Sequence, residues 1–248
     1  MGIDLQVARS LVEDRNHASA ARTGVMLGRQ KFSVRDGRPA RLLRRSLGQS
    51  GLNVPMNDLR QEDGYSETFL SKIGFPQMDS MDYSAFEGCN HVHDLNTPPP
   101  DALRGAFDVI IDGGTIEHVF NTPQALDTVF HMLRPGGVFY SVNGMTGWAG
   151  HGFYQFSPEL VWRYWQDMRN CTIHRCAALP VVGGGAAIEV PDTGGTSGRR
   201  FRGRNLEGRW YLYYVIQKTD QSNMEETIGR SFQGDYAHKW SKAEGTIT

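Results

Sequence analysis

Four side chains stand where this sequence could move a proton or hold a ligand: Asp112, Glu117, His118 and His151. A histidine has an imidazole pKa near operating pH, so His118 or His151 can serve as a general base. Asp112 ends an apolar run, Glu117 and His118 follow five and six residues later, and His151 lies between two glycines. Glycine flanks permit close approach to a ligand.

The elements that must position these groups are legible around them. Phe107–Asp112 reads as a fully buried parallel strand that stops at Gly113-Gly114. A helical stripe follows, with Leu126, Val129, Phe130 and Leu133, and is broken at Pro135-Gly136-Gly137. Val138–Val142 is a second buried strand. In open α/β sheets ligands bind outside the carboxyl ends of such strands. Glu117 and His118 are expected about one turn into the helix after the first of these strands, and His151 after the second. If the strands are neighbours, all three converge.

Further elements extend the pattern. Residues 3–16 predict an amphipathic helix, Thr23–Leu27 a short strand, Arg38–Leu47 a basic helix and Ser66–Ile73 a short helix. Residues 77–82 and 90–95 are weaker strand candidates. Ser157–Met168 predicts a helix capped by Ser157 with Pro158 at its first position. Thr172–Leu179 and Trp210–Lys218 predict strands, the latter rich in β-formers. The expected fold is α/β and doubly wound. It has a mostly parallel seven-stranded sheet, helices on both faces and a C-terminal antiparallel hairpin. Residues 1–22 are expected to form an N-terminal helical segment, 23–218 the main domain and 219–248 a polar tail. The glycine- and arginine-rich stretch 181–208 is expected to be a mobile surface loop.

FDVIIDGGTIEHV and LRPGGVFYSV resemble the fourth strand, the helix after it and the turn into the fifth strand of class I S-adenosylmethionine (SAM)-dependent methyltransferases. The resemblance is specific across 107–142 and looser across 23–106 and 143–218. It implies SAM as cofactor and methyl transfer as activity. It places Gly28, Arg29 and Gln30 at the turn that admits the methionine moiety. Asp82, with Asp79 as its rival, falls at the ribose, and Asp94 at the adenine. Asp112 and Gly113 join the cofactor site. LGRQKF supplies one glycine where the family has a glycine-rich loop. The placing of Glu117, His118 and His151 resembles two metal-using branches, the ubiquinone-pathway O-methyltransferases and the small-RNA 2′-O-methyltransferases. That resemblance implies a divalent cation, Mg²⁺ or another. Two histidines and one carboxylate suit a softer metal than Mg²⁺, or no metal. Gly114 stands where those branches carry a further glutamate.

The aromatic stretch 148–156 suits a planar or sugar acceptor, and it can equally pack into the core. Tyr154 and Gln155, with Asn143, are the candidate acceptor contacts. The expected reaction is O-methylation of a hydroxylated small molecule, best a carbohydrate or glycoside. An RNA 2′-hydroxyl and a non-catalytic binding subunit are the alternatives. His91 and His93 share a strand face and could pair on a metal, though strand packing is favoured. Arg38, Arg41, Arg44 and Arg45 stripe one helix, and Arg199, Arg200, Arg202, Arg204 and Arg209 crowd the long loop. Either cluster could meet phosphate or carboxylate.

Composition narrows the rest. With 26 basic and 27 acidic residues in 248, nothing global points to nucleic acid or a membrane. Three cysteines, Cys89, Cys171 and Cys176, lack a C-x-x-C spacing, so a reduced chain without structural zinc is expected. No apolar run predicts a signal peptide or a span, and Gln6 stands where a myristoylation motif needs Ser or Thr. A cytoplasmic protein, with a homodimer open, is the expectation.

Overall fold

The chain enters its first helix at Asp4, whose carboxylate accepts the N–H groups of Gln6 and Val7 at 2.9 and 3.1 Å. This cap sets the start of α1 (Leu5–Asp14), which buries Val7, Ala8, Leu11 and Val12. The computed structural model describes residues 2–182, 185–204, 206–225 and 231–244. After α1 come β1 (Gly24–Leu27), α2 (Arg38–Gln49), α3 (Glu67–Lys72), β2 (Met78–Asp82), β3 (His91–Val92) and β4 (Phe107–Asp112). Then follow α4 (Thr122–Met132), β5 (Leu133–Thr146), a π-helix over Val161–Met168, β6 (Thr172–Pro180), β7 (Ile188–Glu189), α5 (Thr193–Ser197), β8 (Trp210–Gln217) and α6 (Gly234–Glu244).

The strands form one eight-stranded sheet in the order β3-β2-β1-β4-β5-β8-β6-β7. From β3 to β5 every pairing is parallel. β8 runs antiparallel between β5 and β6, and β7 pairs antiparallel with β6. The expected seven strands are therefore corrected to eight. The additional one is β7, a two-residue pairing too short to leave a hydrophobic signature. It lies in the stretch expected to be a plain loop, 181–208, which also holds α5; Gly183, Gly184 and Asn205 lie outside the described residues. The expected tail, 219–248, contains α6, while 226–230 and 245–248 lie outside the described residues.

Both faces of the sheet are covered, which explains why β4 reads as a continuous apolar run. Val109 and Ile111 pack with Leu11, Leu43 and Phe69 from α1, α2 and α3. Ile110 points the other way, into a cluster with Leu126 and Phe130 of α4 and Trp165 of the π-helix. The alternation of neighbouring residues between two cores is the period-2 geometry of a strand. Residues 157–168 were expected to form an ordinary helix. Over eight residues a π-helical and an α-helical apolar stripe are too alike to separate by sequence. Among the described residues no helix is long and apolar enough to cross a membrane.

Arg175 ties α1 to the far side of the sheet. Its guanidinium reaches Asp14 at 2.9 Å, Glu13 at 3.0 Å and Glu189 at 3.0 Å. Asp14 also accepts the Tyr213 hydroxyl at 2.9 Å. Replacing Arg175 by Met leaves the largely buried Asp14 carboxylate without its cation. Urea unfolding should show a loss of about 2 kcal/mol, with an unchanged denaturant slope.

Candidate active site

The carboxyl ends of β1 and β4 meet at one level beside Ser141 of β5, because Leu27 pairs with Asp112 and Asp112 with Ser141. Asp112 is fully buried. Its Oδ1 accepts the N–H groups of Gly114 at 3.2 Å and Thr115 at 2.8 Å. Its Oδ2 accepts the Ser141 hydroxyl at 3.2 Å and the Asn143 amide at 2.8 Å. One carboxylate thus fixes the turn after β4 to the neighbouring strand β5. Ser141 and Asn143 are two residues apart on a strand, so both face Asp112.

Asn143 Nδ2 also donates to Glu117 Oε2 at 2.9 Å. Glu117 is buried, and its other oxygen, Oε1, has no hydrogen-bond partner. His151 Nε2 lies 3.8 Å from that oxygen and is likewise buried without a partner. The rings of His118 and His151 meet edge to face at 4.8 Å. Ligand atoms of Glu117, His118 and His151 lie within 4.8 Å of one another, so small side-chain adjustments would close them on an ion.

The loop after β5 holds His151 in place. The N–H groups of Phe153 and Tyr154 donate to the Glu117 carbonyl at 2.8 and 3.3 Å. Gly152 has φ +70°, and a Cβ there would sit 2.7 Å from that carbonyl. Only glycine fits this left-handed, closely approached position. Trp148 folds over Gly144, stacks on Tyr211 at 5.1 Å and packs against His151 at 5.2 Å. Arg209 sits 5.0 Å over the Trp148 ring.

The electrostatics follow from burial. Desolvation, then the nearby Asp112 carboxylate, raises the Glu117 pKa to about 7. Desolvation raises Asp112 as well. It lowers both histidines, His118 with help from His151 and His151 with help from Arg209. The imidazoles are therefore neutral near pH 7, with lone pairs for a proton or a cation. A divalent cation here would be held by Glu117 Oε1 and the two imidazoles. The unpartnered atoms Glu117 Oε1 and His151 Nε2 fit that demand.

The other predicted residues fall as follows. Glu117 and His118 stand on a single 3-10 turn, Ile116–His118, and not inside the helix expected after β4. The reason is Pro123, which takes the first turn of α4 and defers the helix to Thr122. Asp112, expected as a catalytic and cofactor-site group, and Asn143, expected as an acceptor contact, are both buried, with their polar atoms engaged by one another, by Ser141, by Glu117 and by the turn after β4. Gly28 has φ +67°, as the turn after β1 requires. Gln30 and Gly113 face each other in the crevice between β1 and β4, where a Cβ on Gly113 would meet the Gln30 amide at 2.6 Å. Arg29 turns away from that crevice, held by Glu67 at 2.6 Å and Asp63 at 2.7 Å.

Asp82 ends β2 with a carboxylate that makes no hydrogen bond among the described residues, whereas Asp79 is engaged by His91 at 2.9 Å. Asp94 is occupied in a turn, accepting both the backbone and side-chain N–H of Asn96 at 2.9 and 2.7 Å. Those two bonds lower its pKa. Tyr154 is partly exposed, and its hydroxyl donates to the Phe120 carbonyl at 2.9 Å. Gln155 accepts the Trp148 N–H at 2.9 Å and so closes the loop. The Arg38, Arg41, Arg44 and Arg45 stripe is exposed. Arg200 pairs with Asp235. Thr115 and Ser141 were not singled out for the site, and Arg209 was named only among the arginines of the long loop. A Thr three residues after a strand-end Asp, and a Ser-x-Asn on the next strand, are the signals that could have found the first two.

No protein-family model and no curated protein matches the chain. Among solved structures, the chain is similar to 1,6-didemethyltoxoflavin-N1-methyltransferase of Burkholderia thailandensis, at 15% identity and TM-score 0.43, over 87% of this chain and 78% of that one. It is similar to the trans-methyltransferase CalH, at 13% identity and TM-score 0.43, over 86% of this chain and 56% of that one. A TehB-like SAM-dependent methyltransferase of Corynebacterium glutamicum gives 14% identity and TM-score 0.39, over 86% of this chain and 88% of that one.

The raised Glu117 pKa has a consequence for stability. Folding favours the protonated carboxyl, so this contribution is complete below about pH 4.5 and is lost as pH rises through about 7. A glutamine does not titrate. In metal-free buffer, Glu117→Gln should gain on the wild type between pH 5 and pH 8, by roughly 3 kcal/mol at most. Urea midpoints across that range measure it, and a pH-independent difference would contradict the assignment.

Proposed function

We propose that this protein is a SAM-dependent O-methyltransferase acting on a hydroxylated small molecule, with a carbohydrate or glycoside as the favoured acceptor. The observation that carries this reading is the cluster Glu117, His118 and His151 at the carboxyl edge of β4 and β5. It lies on the same sheet edge as the turns after β1 and β4, where Gln30 and Gly113 meet. The order β3-β2-β1-β4-β5 reverses direction between β1 and β4, and such a switch point is where open α/β sheets take ligands.

The roles follow from the chemistry. SAM supplies an electrophilic methyl group on a sulfonium. Gly28, Gln30 and Gly113 would border its amino-acid end, and the free carboxylate of Asp82 would accept hydrogen bonds from a vicinal diol. The acceptor hydroxyl must lose its proton as its oxygen attacks. His151, neutral near pH 7 and facing His118, is placed to take it. A divalent cation held by Glu117, His118 and His151 would occupy that imidazole lone pair and supply Lewis-acid assistance to the proton loss in place of the base. Exposed Phe120 and Phe153, whose rings meet at 5.7 Å, and Tyr154 offer ring faces beside the loop. Sugars present such flat apolar faces together with hydroxyls.

A second reading, a methyltransferase-like binding subunit without turnover, draws on Gln30, whose side chain occupies the switch-point crevice. Titration calorimetry with S-adenosylhomocysteine, with and without Mn²⁺ or Mg²⁺, separates the two. Micromolar binding is expected for the enzyme. Methyl transfer from labelled SAM to hydroxylated acceptors should then fall by roughly 10²–10⁴-fold in His151→Ala, with cofactor affinity retained. Full turnover in both His118→Ala and His151→Ala would refute the assigned roles.

A further inference from the structure

The side chain of Gln30 is only 4% exposed, and it lies between the turns after β1 and β4, where the sheet reverses direction. One end of its amide is anchored. Nε2 donates to the Leu27 carbonyl at 2.8 Å and approaches the Gly28 carbonyl at 3.3 Å. Leu27 also accepts the Thr115 hydroxyl at 2.6 Å, so the turns after β1 and β4 are fastened to one carbonyl. The other end of the amide is unanswered. Gln30 Oε1 is buried and accepts no hydrogen bond. It rests where the Cβ of any residue but glycine at 113 would stand, 2.6 Å away.

A buried carbonyl oxygen without a donor is costly, and native structures leave few of them. The oxygen calls for an N–H group, and it does so at the floor of the crevice proposed for the cofactor. The cation nearest in sequence, Arg29, is committed to Glu67 and Asp63. An amino-acid end of a ligand offers two groups. Its carboxylate is an acceptor and has nothing to give Oε1; its ammonium has three donors. Terminal amide torsions are broad, so a modest rotation uncovers Oε1 without disturbing the backbone.

We propose that Gln30 Oε1 is the acceptor for the α-ammonium of the bound cofactor. A side-chain amide then takes over the grip that a glycine-rich turn would otherwise supply, which accounts for a single glycine in LGRQKF. The inference rests on the SAM reading above and adds to it the group that Gln30 recognises. Gly113 is part of the device, because its missing side chain makes room for the amide.

Three probes test it by calorimetry on the full chain. S-adenosylhomocysteine carries ammonium and carboxylate. Its decarboxylated aminopropyl analogue keeps only the ammonium. 5′-Methylthioadenosine has neither. Gln30→Met preserves length and removes the carbonyl. It should weaken the first two probes by roughly 10–100-fold and methylthioadenosine by less than about 2-fold. Gln30→Glu gives up the Nε2 bonds to the Leu27 and Gly28 carbonyls but keeps an oxygen at the same reach, so it should hold or raise the preference for the two ammonium-bearing probes over methylthioadenosine. It also serves if the Met variant does not fold. Equal loss for all three probes, no loss, or loss confined to S-adenosylhomocysteine would overturn the proposal. A wild-type chain that binds methylthioadenosine as tightly as S-adenosylhomocysteine overturns it too, while leaving the cofactor reading in place. A wild-type chain that binds none of the three overturns the cofactor reading itself.

Discussion

The arrangement at the carboxyl edge depends on one buried carboxylate. Asp112 has no exposed surface and accepts donors from two elements, the turn at Gly114 and Thr115 and the strand at Ser141 and Asn143. A buried carboxyl group is tolerated only when its oxygens are satisfied, and this one is. The consequence passes outward. Asn143 is shared between Asp112 and Glu117, so the second carboxyl is held at a fixed distance from the first. Proximity and burial then raise Glu117 to about 7. A group that would be a plain carboxylate in water becomes one that changes charge near neutrality.

The same network explains why the two histidines face inward. The Glu117 carbonyl accepts both Phe153 and Tyr154 N–H groups, which draws the 148–156 loop down over the 3-10 turn. His151 is carried with it to 3.8 Å from Glu117 Oε1. Trp148 backs the imidazole and is itself braced by Tyr211, whose hydroxyl reaches Asp4 at 3.1 Å. The cap of α1 therefore supports the wall of the site across the sheet.

Much of this was legible in the sequence, for physical reasons. β4 was readable to the residue because both of its faces are buried, leaving an unbroken apolar run closed by Asp112 and two glycines. β8 was readable from its aromatic and β-branched content. What escaped notice was short or cooperative. β7 has two residues, below the length at which alternation is visible, and β3, expected over 90–95, is confined to His91–Val92. The turn at Ile116–His118 was read as helix, although Pro123 marks the later start. Asp112 was read as a proton-moving and cofactor-site group and Asn143 as an acceptor contact; that they satisfy each other is a fact of pairing between strands, which spacing along the chain does not encode. That His91, on a neighbouring strand, engages Asp79 is likewise a contact that spacing does not encode.

Asp112 also divides the edge into two unsatisfied places. On its β1 side stands Gln30 Oε1, and on its β5 side stand Glu117 Oε1 and His151 Nε2, all buried and all without partners. Asp112 itself, between them, lacks nothing. Folding could have satisfied these atoms with one more neighbouring donor, as it did for the carboxylate a few ångströms away. A carbonyl oxygen calls for a donor, and a carboxylate beside a neutral imidazole calls for a cation or a labile proton. The two demands differ, so a single ligand group would not meet both. An ammonium-bearing cofactor on one side and an acidic hydroxyl or metal ion on the other, as proposed above, would meet both. That pairing of needs, set on either side of a fully satisfied Asp112, is what a two-substrate transfer site requires.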